Sequence, residues 1–332
     1  MDTPLLNYLL TLLFFSTFLH PSLSADQLCN PRDKRVLLRI KRAFNNPKVL
    51  ASWDPHTDCC QWNCVTCHHE SHRINSLIVS GGLPGHVTPH IGDLPYLETL
   101  VLLKHSDMVG PIPGAITKLK RLTSLTVSWT NISGPVPNFL SQLRSLTSLD
   151  LSFNNLTGPI PGSLALLPNL TSLHLDRNKL TGPIPASFGQ FRGSDFYLYL
   201  SHNRLAGQIP SSLGTKRDFS HVDLSRNRLE GDASFLFGSR KRVHAVDLSR
   251  NLLKFDLSKV RFSKRLTWLD LNHNLINGSL PFGLTALDFQ SLNVSYNRLC
   301  GSIPVGGELQ RFGYTAYFHN TCLCGSPLGS CQ

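Results

Sequence analysis

The chain is predicted to fold as a right-handed α/β solenoid, and three observations predict it. Asn154, Asn178, Asn203, Asn227, Asn251, Asn274 and Asn297 recur at intervals of 23 to 25 residues. Each closes a stretch of the form LxxLxLxxNxLxG, as Leu149, Leu151, Leu156 and Ile160 show for one unit. All nine cysteines lie at the two ends of this stretch. Such a period marks a leucine-rich repeat array, in which each unit buries its apolar face only against its neighbours.

Within a unit, two leucines two residues apart point the same way from a short strand, so stacked units build a concave parallel β-sheet. The asparagine sits where the chain bends inward, and its amide can satisfy backbone N–H and C=O groups that the bend would bury. Weaker units begin near Arg73, Leu97 and Leu122, giving about ten 24-residue repeats over 73–299. After the asparagine most units carry Gly-x-Ile-Pro, as at Gly158–Pro161, Gly182–Pro185, Gly207–Pro210 and Gly301–Pro304. Proline there forbids further ladder pairing and helix continuation, so the outer side is predicted to be mostly 3₁₀ or extended. Between Gly231 and Lys254 the Ile-Pro step is replaced, and the outer surface is predicted to be irregular.

The ends differ from the array. Residues 1–24 contain an apolar run, Leu5 to Phe18, followed by small Ser22 and Ser24, which reads as a secretory signal peptide. No later segment reaches the length of a membrane span. Residues 25–72, with Cys29, Cys59, Cys60, Cys64 and Cys67, form an N-terminal cap. Residues 300–332, with Cys300, Cys322, Cys324 and Cys331, form a C-terminal one. In an oxidising compartment, disulfides staple caps too small to hold themselves, though four cysteines allow three pairings. Sequons at Asn131, Asn155, Asn169, Asn277 and Asn293 agree with secretion.

Two columns of side chains face outward from the predicted sheet. One contains Asp150, Asp223, Asp247 and Asp270 between the paired leucines, with Asp176 just after them. Carboxylates ~4.8 Å apart repel, so the column costs stability unless cations offset it. Tyr197, Tyr199, Trp268 and Tyr296 add aromatic anchors of the kind enriched at protein interfaces. The other column, the residue before each asparagine, contains Arg177, His202, Arg226, Arg250 and His273. Removing Asp2 with the leader raises the net charge from +11 to +12, so a polyanionic partner is the natural inference; a secreted chain does not meet nucleic acid.

Several segments are more specific than the repeat itself. They are CNPRDKRVLLRIKRAFNNPKVLASW with DCC following, DLSRNRLEGDASFLFGS, FDLSKV, and SLNVSYNRLCGSIPVGGELQRF through to CLCGSPLGSC. In these the whole chain resembles the plant polygalacturonase-inhibiting proteins, secreted leucine-rich-repeat proteins of the cell wall. The resemblance implies a monomer without cofactor or metal that inhibits fungal or insect endopolygalacturonases in plant defence. It implies that Asp150, Asp176 and Asp223 hold basic residues around the enzyme's cleft, while Thr171, Tyr197, His244 and Ser291 touch the enzyme or tune specificity. It implies pectin (homogalacturonan) binding at Arg226 and Arg250, with Arg177 and His202 in the same column. His202 and Asn272 stand where relatives can carry arginine. It also implies the disulfides Cys29–Cys59, Cys60–Cys67, Cys300–Cys322 and Cys324–Cys331, leaving Cys64 over at a position where relatives usually carry glycine.

Cys64, Cys67, His68, His69 and His72 have the spacing of metal ligands, but cysteines of a secreted chain are expected to be oxidised. His174 with Asp176 and His221 with Asp223 pair imidazole with carboxylate, yet no nucleophile accompanies them, and catalysis is not expected. A non-inhibitory binding module is the alternative, whether a pectin-binding wall-recognition partner or an ice-binding relative of the same scaffold. Arg, His and Trp on the open face count against a flat ice-binding array.

Overall fold

The computed structural model describes residues 29–331, except 193–194 and 216–217. The predicted signal peptide, 1–24, lies outside the described residues. Ten parallel strands, from Ile74–Ser80 to Ser291–Asn293, form the concave sheet. The chain is therefore a leucine-rich-repeat solenoid with a parallel sheet and disulfide-bonded ends. Leu149, Leu173, Leu198, Val222, Val246, Leu269 and Leu292 occupy one register position in successive strands. All seven are buried. A one-residue slip would turn this whole row to solvent, so the register is strongly specified.

The asparagines form the second structural row. The Asn178 amide donates to the carbonyls of Leu151, Leu175 and Asp176 at 2.9, 3.1 and 3.2 Å, while its Oδ1 accepts from Leu156 N–H at 2.9 Å. Asn203, Asn227, Asn251, Asn274 and Asn297 repeat the same pattern. Each amide thereby fills four backbone positions that the coil interior hides from water. An eighth rung, Asn320, lies inside the C-terminal cap and accepts from Leu299 N–H. In an early unit His105 takes the asparagine's place: its Nδ1 accepts from Leu83 N–H at 3.1 Å and its Nε2 is 3.1 Å from the Val79 carbonyl. Burial pushes the pKa of His105 down, which keeps the ring neutral and able to accept and donate at once.

A second parallel ladder follows the asparagines, which the sequence reading did not anticipate. Ser133 pairs with Asn155, Thr157 with Lys179, Arg204 with Thr181, Ala206 with Arg228 and Glu230 with Leu252. In most units these strands are short because the Gly-x-Ile-Pro step ends them. The outer side then runs into five-residue 3₁₀ turns such as Gly114–Lys118, Asn138–Gln142, Gly162–Leu166 and Ala186–Gln190, each preceded by proline. In the two units where no apolar-Pro step precedes them the turns shrink to three residues, Ser234–Leu236 and Leu257–Lys259. Ser212–Thr215 makes one short α-helical turn instead of a 3₁₀ turn.

The N-terminal cap closes the first coil with helix α1, Pro31–Ala43. Asn30 caps it by accepting from the N–H groups of Arg32 and Asp33, and Val36, Leu37 and Ile40 face the core. Asp33 is buried and takes two 2.8 Å bonds from the Arg73 guanidinium, which also lies over Tyr96. The disulfides present are Cys29–Cys59, Cys60–Cys67, Cys300–Cys322 and Cys324–Cys331. Cys64 is a free thiol, half-buried, with a left-handed backbone at φ +72°. Because the Cys67 sulfur is bonded to Cys60, it is not available to a metal beside His68, His69 and His72.

Candidate protein-binding face and basic edge

Strand alternation sends every second side chain of the inner ladder outward. The register aligns Ser172, Tyr197, His221, Ala245, Trp268 and Ser291 in one outward column. Asp150, His174, Tyr199, Asp223, Asp247, Asp270 and Asn293 align in the next. Rings stack along both columns: Tyr197 on His221 at 4.7 Å, His174 on Tyr199 at 4.5 Å, and His221 toward His244 at 6.2 Å. Where Ala245 interrupts the rings, a notch of about 360 Å³ opens between His221 and Trp268, flanked by Asp223 and Asp247.

The aspartates divide into two kinds. Oδ1 of Asp150 accepts from the N–H and hydroxyl of Ser152 at 2.9 and 2.6 Å, and Asp223 does the same with Ser225. Asp247 accepts from Ser249 N–H, and Asp270 from the backbone and side-chain N–H of Asn272. In these positions one oxygen builds the turn after the strand, and charge is left for the open face. Asp176 stands in the column of those serines, one step later. Burial, with the charges of Asp150 and Asp223 adding, pushes its carboxyl up to about 7. Burial similarly raises Asp247 to about 6, with Asp223 and Asp270 contributing.

Of the side chains expected to touch an enzyme, the structure brings Asp176, Tyr197, Asp223 and His244 to neighbouring positions on coils that pair directly. Asp150 and Thr171 lie toward the N-terminal side of this group, and Ser291 lies two strands beyond His244's coil, next to Trp268. Tyr197 and Trp268 are 37% and 47% exposed, enough to anchor a partner. His221, not singled out as a contact by its residue type, completes the ring stack between Tyr197 and His244. The ring nitrogens of His174 and His221 lie 2.8 Å from Ser172 Oγ and 3.0 Å from Ser220 Oγ. Among the described residues neither histidine is hydrogen-bonded to Asp176 or Asp223.

The column before the asparagines has a backbone property of its own. Arg177, His202, Arg226, Arg250 and His273 all have left-handed φ between 52° and 56°. Lys104, Trp129, Phe153 and Tyr296, with φ between 53° and 58°, extend the column at both ends. The N–H of each points along the solenoid: Arg177 donates to Ser201 O, His202 to Ser225 O, Arg226 to Ser249 O, Arg250 to Asn272 O. The resulting edge is ordered by charge. Trp129 stacks on Phe153 at 3.7 Å, Arg177 lies over the same Phe153 ring at 4.8 Å, and His273 stacks on Tyr296 at 4.1 Å. Burial and the flanking Arg177 and Arg226 lower the pKa of His202, so the centre of the edge relies on its arginines for charge at neutral pH.

The comparisons agree with this architecture. The leucine-rich-repeat N-terminal domain model matches residues 30–68, and leucine-rich-repeat models match 120–180, 144–205, 196–215 and 265–287. The polygalacturonase inhibitor of Pyrus communis is 61% identical over 333 residues, covering 100% of both chains. The chain belongs to the polygalacturonase-inhibitor family. The polygalacturonase inhibitor of Vitis vinifera is also 61% identical, over 99% of this chain and 98% of its own. Among solved structures, a plant ice-binding protein superposes with a TM-score of 0.89 at 52% identity, over 92% of this family member and 98% of the other chain. Among the described residues no helix is long and apolar enough to cross a membrane.

Proposed function

We propose that this family member is a secreted monomeric protein of the plant cell wall that binds and inhibits fungal endopolygalacturonases through its concave face. The observation that carries the proposal is the patch of Asp176, Tyr197, His221, Asp223 and His244, which puts the exposed Tyr197 ring and two half-buried imidazoles beside carboxylates on four successive coils. Such a patch suits the basic rim of a cleft-bearing partner, because the stacked rings are already ordered and the Asp223 carboxylate is positioned by Ser225. Thr171, Asp150 and Ser291 extend the contact on either side. We assign Arg177, His202, Arg226 and Arg250 to pectin, whose regularly spaced carboxylates suit a rung-by-rung row of cations.

The ice-binding neighbour shares the scaffold, but the concave surface here carries charged and bulky rings where ice would be matched by a flat array of small hydroxyls. Reducing-end release from polygalacturonate decides the matter, using a panel of fungal endopolygalacturonases with and without the purified protein. Slower release and longer products are expected. Unchanged release across the panel would remove the inhibitory reading.

A further inference from the structure

We infer that helix α1 carries a second polyanion-binding site, on the side of the molecule away from the concave sheet, which takes an acidic polysaccharide. Arg32, Arg35, Arg39 and Arg42 lie three or four residues apart, so they fall on one face of the 13-residue helix Pro31–Ala43. All four are exposed, and they line a groove of about 520 Å³ together with Asp93. Asp93 belongs to the first outer 3₁₀ turn, Pro89–Asp93, against which the helix packs. This places the groove on the cap and the outer surface.

The charge in this groove is not balanced internally. The acid of the helix, Asp33, is buried on its opposite face and bonded to Arg73. Asp93 is shared among Arg39 at 3.4 Å, Lys118 at 3.1 Å and His90 at 3.9 Å. Arg32, Arg35 and Arg42 make no ion pair among the described residues. Like charges at these spacings oppose helix formation by a few tenths of a kcal/mol per pair, offset only in part by the Arg39–Asp93 pair and by the helix C-terminus beside Arg42. Neither packing nor capping requires them, since the core contacts come from Val36, Leu37 and Ile40 and the cap from Asn30.

The ligand chemistry follows from the donors. From Arg32 to Arg42 the row spans roughly 15 Å at the helical rise. Guanidinium groups favour bidentate pairing with carboxylates. A chain of uronic acid units presents a carboxylate at every sugar and can lie along the row; Leu38, half-buried in the same groove, offers apolar surface to sugar C–H faces. The site is separate from the arginine column assigned above, so one molecule could hold wall polymer at its cap while the concave face stays open.

The test is isothermal titration of the full mature chain with de-esterified oligogalacturonate at low and high salt. The variant Arg32→Gln/Arg35→Gln/Arg42→Gln keeps the Arg39–Asp93 pair and a good helix-forming side chain at each position. Its affinity at low salt is expected to fall by at least about tenfold, with a shallower salt dependence. The matching triple Lys variant keeps the charge and should retain most of the binding; it serves as the folded reference should the Gln variant melt early. Binding by the Gln variant within about twofold of the parent overturns the inference, whatever Arg226→Ala/Arg250→Ala does. Loss in the Gln variant with no loss in Arg226→Ala/Arg250→Ala supports the inference and removes the column assignment alone. If phosphatidylglycerol vesicles bind through these arginines and oligogalacturonate does not, the polysaccharide assignment is wrong.

Discussion

Oδ1 of Asp223 accepts both the N–H and the hydroxyl of Ser225, at 3.0 and 2.7 Å, so this carboxylate shapes the strand's exit while its charge faces the open sheet. The two roles can be separated by substitution. Asparagine retains an acceptor oxygen, whereas alanine removes it.

Asp223→Asn is accordingly expected to weaken polygalacturonase binding by roughly 1 to 3 kcal/mol with little change in unfolding midpoint. Asp223→Ala should lose the same binding and about 1 kcal/mol of stability in addition. Surface plasmon resonance paired with urea unfolding reads both quantities. Equal binding by Asp223→Asn and the parent would show that the charge is not used.

Asp176 offers a prediction in pH. Its folded carboxyl titrates at about 7, above its ordinary value, chiefly because it is buried. Below pH ~3 the group is protonated in both states and has no effect. As pH rises toward ~7 the unfolded chain gives up this proton first, so the folded state loses stability relative to it. Asp176→Asn cannot ionise and should therefore match the parent at pH 3 but exceed it by about 1 to 3 kcal/mol at pH 8. Thermal melts at the two pH values check the sign.

Asn178→Ala should be among the most damaging single changes in the array. It strands the Leu151 and Leu175 carbonyls and the Leu156 N–H inside the coil. A loss of about 2 to 4 kcal/mol is expected, readable by chemical denaturation. An exposed change on the same coil, Lys179→Ala, should stay within about 0.5 kcal/mol.

Cys64→Gly should leave stability equal or raise it by up to about 1 kcal/mol, because glycine takes a φ of +72° without the steric cost of a Cβ. In the parent, burial raises the thiol's pKa, so thiol-reactive reagent at pH 7 should modify it slowly in the folded state and rapidly in denaturant. Non-reducing peptide mapping that found Cys64 paired with Cys60 would contradict the arrangement described here.

Arg226→Ala/Arg250→Ala should reduce binding to de-esterified pectin, with the difference from the parent shrinking as salt rises. Inhibition of a susceptible polygalacturonase should be less affected. Retention of full pectin binding by this variant would exclude the arginine column as the contact.

The leucine rows, the asparagine turns and the cysteine-bearing caps are legible in the sequence because each has a fixed residue type at a fixed spacing. His105 was not, since a buried neutral imidazole can replace an asparagine by geometry that no repeat pattern encodes. The second ladder was also missed: its strands are too short and polar to show alternation. Within the candidate face, the aspartates and tyrosines were visible as columns. The notch above Ala245, by contrast, depends on what its neighbours at His221 and Trp268 leave unfilled. The turn-forming role of Asp150, Asp223 and Asp247 depends on Ser152, Ser225 and Ser249 lying beside them, which the column of aspartates does not itself reveal.

The left-handed column has an implication for how this molecule can change over evolutionary time. Residues such as Arg177, His202, Arg226 and Arg250 occupy a conformation that glycine or asparagine adopts more cheaply, by about 1 kcal/mol per site. A library that replaced them with glycine or asparagine would be expected to yield progressively hardier solenoids with a bare edge. Heat-challenge selection and ligand selection should thus drive these same codons in opposite directions, and the residues that persist under both would mark the rungs where recognition outweighs robustness.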